Sequence, residues 1–272
     1  MHSLNIPCEV LSDGLRSVVV VPEKQRERAK YEIWQYEQEN RQQARPASRI
    51  TPVIQNGVPG VVVYLIVISI VALLAGDGTF GRNWLSVGRV DGVLIRDGEW
   101  WRTVTALTLH GGLTHFAGNA GFGALFGMMA GRVLGSGVTW LTVVIASGVA
   151  NLINTLLLES THRAIGASTA VFATLGLVAG FVWRGELMKQ DRWPYRIGPI
   201  VGGVALLAYT GTGNANTDVG AHLCGFVVGF FAGILMTVVY RYIPSLKVQR
   251  ASGLLAIFIV IFAWTTALRL WD

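Results

Sequence analysis

Charge is what this chain has least of. Only 14% of its 272 residues are Asp, Glu, Lys or Arg, against about 25% in an ordinary soluble domain, and 52% are hydrophobic, with a mean hydropathy of +0.49. That balance excludes a soluble globular protein and fits an all-α polytopic membrane protein. Cysteine is almost missing: Cys8 falls in a polar tail and Cys224 in an apolar run, so no disulfide or metal framework follows from them. No metal and no cofactor is expected. The N-terminus lacks a basic-then-apolar signal pattern, so the first long hydrophobic run is read as the entry into the membrane. The formal charge is +6, but the basic residues gather in the tail and two loops. They mark topology and contact with lipid headgroups, and nucleic acid is not expected as a partner.

What the chain does have is long apolar runs, behind a polar preface. Residues 1–56 read as a small N-terminal cytosolic α+β module and linker. Val18–Val21, ending at Pro22, predicts a strand that a piece around Cys8–Leu11 can pair with across Ser12-Asp13-Gly14. Glu23 to about Gln43, with Tyr31, Trp34 and Tyr36 spaced along it, predicts a helix closed by Arg45-Pro46. Binding of a cytosolic partner and a solvated helix on a linker both fit this module. Seven apolar runs follow, at 58–76, 109–129, 138–158, 166–183, 197–210, 218–240 and 254–271. Residues 77–108 are mixed and rich in Arg and Trp, which predicts a loop lying in the membrane interface with its tryptophans as headgroup anchors. Asn151 and Asn154 are expected to hydrogen-bond between helices, and Gly225, Gly229 and Gly233 form a four-residue repeat along which backbones can approach closely.

With the N-terminus inside, 16 Lys and Arg lie on the inner side and 6 on the outer, so the positive-inside rule sets the N-terminus in the cytoplasm and the far end outside. The second, fourth and sixth runs then start on the outer side, and each carries unusual polar residues in its first part. Ser168, about one turn inside its helix, and His222, about five residues after Thr217, come out at a common depth of roughly 6–8 Å. Serine becomes a nucleophile when a nearby base takes its proton, and histidine suits that task near neutral pH. His115 and Asn119, four apart on one helical face, can donate to an oxyanion formed by attack on a carbonyl. Phe172, one turn below Ser168, is expected to pack on His222. Gly166 leaves room for a substrate backbone, and His110 supports the first loop or binds water and substrate at the mouth. The plain structural readings are a serine bonded to its own helix, His115 and Asn119 tying helices together, Asp218 capping a helix, and His162 solvated in a loop. A transporter is disfavoured because the polar residues gather at one end instead of at the midplane.

At these residues the chain resembles the rhomboid family of intramembrane serine proteases. Gly166-Ala-Ser168 with Phe172 looks like the family's nucleophile motif, Ala221-His222 with Gly225 and Gly229 like its histidine motif, His110, His115 and Asn119 like its second-helix signature, and Gly98-Glu-Trp-Trp-Arg102 like its first-loop motif. The resemblance implies a rhomboid-like six-helix bundle over residues 57–240, plus one extra transmembrane helix within 241–272. It implies a serine-type endopeptidase of the cell inner or plasma membrane, cutting in or near transmembrane segments of membrane-protein substrates by a dyad of Ser168 and His222. His115, Asn119 and Ser168 would stabilise the oxyanion or substrate, with His110, Phe172 and Gly166 in support. Two positions depart from the pattern: Thr169 and Cys224 stand where it has glycine, and Thr169 is expected to crowd the oxyanion pocket. The alternative reading is a catalytically inactive relative that binds transmembrane clients.

The Lys and Arg distribution makes a direct prediction. A reporter fused after Arg45 is expected to be cytoplasmic and one inserted at Asn214 external; the reverse pattern in protease-protection or reporter assays would separate Ser168 and His222 from the side that the charge count assigns them.

Overall fold

The computed structural model describes residues 6–12, 17–41, 55–185, 198, 201–203, 205–206 and 218–270. The chain divides into two units, Met1–Ala47 and Ser48–Asp272. In the first, β1 (Glu9–Ser12) and β2 (Ser17–Val20) pair antiparallel with Glu9 opposite Val20, and α1 (Arg26–Arg41) follows. The helix is polar nearly throughout, with a Glu27–Lys30 ion pair one turn apart and exposed Tyr31, Trp34 and Tyr36.

The second unit is a helical bundle. Its elements are α2 (Val58–Gly76), α3 (Trp84–Gly88), β3 (Val90–Asp91), α4 (Gly92–Arg96), α5 (Arg102–Thr105), α6 (Leu113–Leu134), α7 (Ser136–Leu157), β4 (Arg163–Ala164), α8 (Ser168–Gly185), α9 (Val219–Val239) and α10 (Leu246–Leu270). Five helices among the described residues are long and apolar enough to cross a membrane: α2, α7, α8, α10, and α9 with its extension to Tyr242. The expected second span is α6, whose 22 residues are diluted by His115, Asn119 and five glycines. The expected fifth span, 197–210, and the loop to 217 lie for the most part outside the described residues.

The tightest packing joins α8 to α9. A methyl group on Gly225, Gly229 or Gly233 of α9 would run into the carbonyl oxygens of Thr169, Ala173 and Leu177, and one on Gly176 or Gly180 of α8 into those of Phe226 and Phe230. The two backbones therefore touch over three turns, which only small residues permit and which replaces the hydrophobic drive that lipid removes.

Residues 77–108 differ from a loop spread in the interface. Three short helices fold it into the bundle, and Trp84 and Trp101 are core residues, while Trp100 stays half exposed. The cause is Arg102, which is 1% exposed. Its guanidinium donates to Glu99 at 2.6 Å and to the Ser86 and Arg89 carbonyls at 2.9 and 3.1 Å. A buried guanidinium has to be this fully bonded, so it pulls the chain around itself. Asn151 of α7 donates to Thr103 O at 2.8 Å. On the other side, Trp264 of α10 packs on Trp84 and donates to Thr108 Oγ1 at 3.0 Å. At the opposite end Gln249 accepts from Gly137 N and Val138 N and donates to Leu134 O and Ile243 O, fastening α10 to the α6–α7 turn.

Glycine-to-alanine changes separate the α8–α9 seam from ordinary helix positions. Gly148→Ala meets nothing closer than 3.5 Å and is expected to be neutral or to stabilise by about 0.5–1 kcal/mol. Gly229→Ala puts its methyl into the Ala173 carbonyl and is expected to cost about 1–3 kcal/mol; thermal unfolding in detergent measures both, and equal midpoints would remove the seam as a constraint.

Candidate active site

Ser168 opens α8, where the sequence pattern placed it about one turn inside. The difference lies in the residues before it. β3 and β4 pair Val90 with Ala164 and Asp91 with Arg163, and Gly166 donates its amide to Ala106 O at 2.9 Å. Gly166 sits at φ 131°, a conformation that favours glycine. The chain is thus extended up to Ala167 and can turn helical only at Ser168, whose half-buried side chain stands at the positive end of the helix. Asp91, within this ladder, is drawn in both directions. Burial pushes its carboxyl up, but the Arg163 hydrogen bond, the Leu94 amide and the Arg163 and Arg89 charges outweigh burial and hold it below the usual carboxylate range. The pairing therefore stabilises at neutral pH and fades as pH falls through that lowered value.

His222 lies in the first turn of α9 and is buried. Phe172, four residues after Ser168 on the same face, stacks on its imidazole at 4.5 Å between centroids and 20° between planes. The turn that begins with Ser168 is thus the turn against which the imidazole lies. The His222 Nδ1 atom is buried with no hydrogen-bond partner, and no hydrogen bond joins His222 to Ser168 among the described residues. Thr169 turns its methyl to the seam, where it faces Gly225. Its extra bulk is taken up between α8 and α9.

His115 is the other neighbour of this turn. A methyl on Gly166 would lie 2.6 Å from His115 Nε2 and 3.5 Å from Ser168 Oγ, so the His115 ring, the Gly166 backbone and the Ser168 hydroxyl meet. Asn119, four residues on, is 6% exposed, and its Nδ2 has no partner; its carbonyl accepts from Tyr64 of α2 at 2.8 Å. His110 stands outside the second helix, since α6 begins only at Leu113, after Gly111-Gly112. Its ring meets those of His115 and Phe116 edge-on at 5.4 and 5.3 Å, and both of its nitrogens lack partners. It borders a cleft of about 600 Å³ with Ser69, Ala72, Leu85 and Phe116. Buried polar atoms are ordinarily satisfied, and four of the eight unsatisfied side-chain atoms among the described residues belong to His110, Asn119 and His222. Such a concentration has unused capacity to bind water or a polar substrate.

The sequence reading missed one group here. His162, expected to be solvated, is largely buried and lies 2.8 Å from Asp218 at the start of α9. Asp218 does cap that helix, accepting from Ala221 N at 2.9 Å.

Comparison with known proteins bears on the same segment. The family model described as Rhomboid domain matches residues 97–239. YdcA of Bacillus subtilis (strain 168) is 32% identical over 143 residues, which cover 52% of this chain and 69% of that protein. Rhomboid protease GluP of the same organism is 30% identical over 186 residues, covering 66% of this chain and 35% of GluP. Rhomboid-like protease 2 of Toxoplasma gondii is 32% identical over 145 residues, 52% of this chain and 49% of the relative. The chain thus spans half or less of the length of the latter two.

The contact of His115 with Gly166 can be tested without any assay of chemistry. Gly166→Ala adds a methyl 2.6 Å from His115 Nε2 at a strained φ, so it is expected to lose about 1–3 kcal/mol and to shift the His115 imidazole resonances. Unchanged resonances and melting would place His115 away from this turn.

Proposed function

The chain belongs to the rhomboid family, and from that premise we propose that it is an intramembrane serine endopeptidase in which Ser168 and His222 hydrolyse peptide bonds in or near transmembrane segments of membrane-protein substrates. Ser168 Oγ attacks the scissile carbonyl while His222 takes its proton, then returns it to the leaving amine. Asn119 Nδ2, the His115 ring and the Ser168 amide at the head of α8 stabilise the negative charge on the carbonyl oxygen. Water admitted from the end of the bundle that carries His110 then attacks the acyl-enzyme, with His222 again as base, and frees Ser168. Phe172 holds the imidazole plane in place of a third acid. The supporting observations are the stacking of Phe172 on His222, the approach of His115 to Gly166 beside Ser168, and the unsatisfied polar atoms of His110, Asn119 and His222.

The same reading sets the protein in the cell inner or plasma membrane with its N-terminus in the cytoplasm. Residues 1–56 serve there as a module that docks a cytosolic partner or as a solvated helix on a linker, 57–240 form the protease core, and 241–272 supply an added span. A silent relative that binds transmembrane clients is the second reading; it rests on Thr169 standing where the family pattern has glycine, although its methyl faces the α8–α9 seam.

A fluorophosphonate probe separates the two. An activated serine is phosphonylated and its adduct is held in the oxyanion pocket, whereas ordinary serines do not react. Wild-type protein in mild detergent is expected to label at Ser168, Ser168→Ala not at all, and His222→Ala far more slowly. Labelling of Thr169→Gly with an inert wild type would mark a protease disabled at one position, and inert folded protein in both cases would favour the client binder.

A further inference from the structure

His222 Nδ1 has no hydrogen-bond partner among the described residues, and its ring lies stacked on Phe172. Where the ring stands therefore depends on where the first turn of α9 stands. Asp218 controls that turn from both ends. Its carboxylate accepts from Ala221 N at 2.9 Å, and its own carbonyl accepts from His222 N at 3.2 Å.

Asp218 is in turn held from outside its helix. Asn154 of α7 donates to both carboxylate oxygens, at 3.2 and 3.1 Å, and His162, in the loop that leads to Ser168, contacts the second at 2.8 Å. The fit is close, since a methyl on Gly220 would strike Asn154 Oδ1 at 2.5 Å. Asn154 is 4% exposed and the His162 and Asp218 side chains 18% and 17%, so water competes little for these bonds.

We propose that Asp218, braced by Asn154 and His162, is a positioning residue for His222, fixing the imidazole against the turn that carries Ser168; this rests on the reading of Ser168 and His222 as the catalytic pair. The cluster ties together the nucleophile's approach loop, the base's helix and α7. A carboxylate suits the place because its two oxygens can accept from an amide, an imidazole N–H and a helix N-terminus at once.

The expected result follows from the cost of misplacing a catalytic group, about 10²-fold for roughly 1 Å. With the purified full chain in detergent and a transmembrane peptide substrate, Asp218→Ala is expected to lower kcat about 10–100-fold with KM within about twofold. Asp218→Asn, which keeps an acceptor for Ala221 N, recovers most of that loss, and His162→Ala and Asn154→Ala fall between. The imidazole resonances of His222 shift in Asp218→Ala and return in Asp218→Asn. A kcat for Asp218→Ala within twofold of wild type, or a loss that follows thermal stability and is not restored by Asp218→Asn, overturns the proposal. Should Asp218→Ala not fold, unchanged His222 resonances and kcat in His162→Ala overturn it equally. Wild-type protein inert to the fluorophosphonate probe rejects the enzymatic reading instead, and the His222 resonances then decide the positioning on their own.

Discussion

Direct backbone contact between α8 and α9 is the constraint from which the rest follows. Five glycines on the two helices leave room for the other helix's carbonyls, and an α-helix held at that distance cannot rotate or slide without a clash. Ser168 at the head of one helix and His222 in the first turn of the other inherit a fixed relative height. Phe172 then needs only to fill the gap beside the imidazole. In lipid, where burial of apolar surface gives helices no reason to associate, van der Waals fit of this kind supplies both the affinity and the register.

The other elements bring the surroundings to that pair. The β3–β4 ladder and the Gly166 conformation stop α8 from starting earlier, so the hydroxyl stands at a helix terminus with free amides. α6 leans its polar face over Gly166, and α2 grips Asn119 by its carbonyl through Tyr64, leaving the amide nitrogen free. Polar side chains in a membrane protein tend to be bonded or to face a cavity, and half of the side-chain atoms that stay unbonded among the described residues belong to His110, Asn119 and His222.

Much of this was legible in the residues because it repeats within a helix. The four-residue step from Ser168 to Phe172, from His115 to Asn119 and through the glycine repeat gives each face directly, and apolar length gives the spans. What could not be read depends on pairs far apart in the chain. The head of α8 is set by Asp91 and Arg163, 72 residues apart, so the pattern put Ser168 a turn too deep. Gly111-Gly112 broke what hydropathy read as a continuous span and left His110 outside it. The tryptophans of residues 77–108 looked like interface anchors because nothing local reveals that Arg102 would gather carbonyls around itself. His162 and Asp218, 56 residues apart, carried no mutual signal at all.

The bond from Trp264 to Thr108 has a consequence for how the protein is made. Thr108 stands two residues before His110, and its partner is 156 residues further along; Arg82 likewise reaches the Leu268 carbonyl, 186 residues on. The first loop therefore cannot reach its final packing while the ribosome is still extending the chain through the bundle. Until α10 packs beside α7, Trp84 and Thr108 lack the partner that Trp264 gives them. The fold is in this sense completed late, by a helix that adds none of the polar side chains around Ser168, and a nascent chain stalled before residue 264 would lack the side chain that packs on Trp84 and bonds to Thr108.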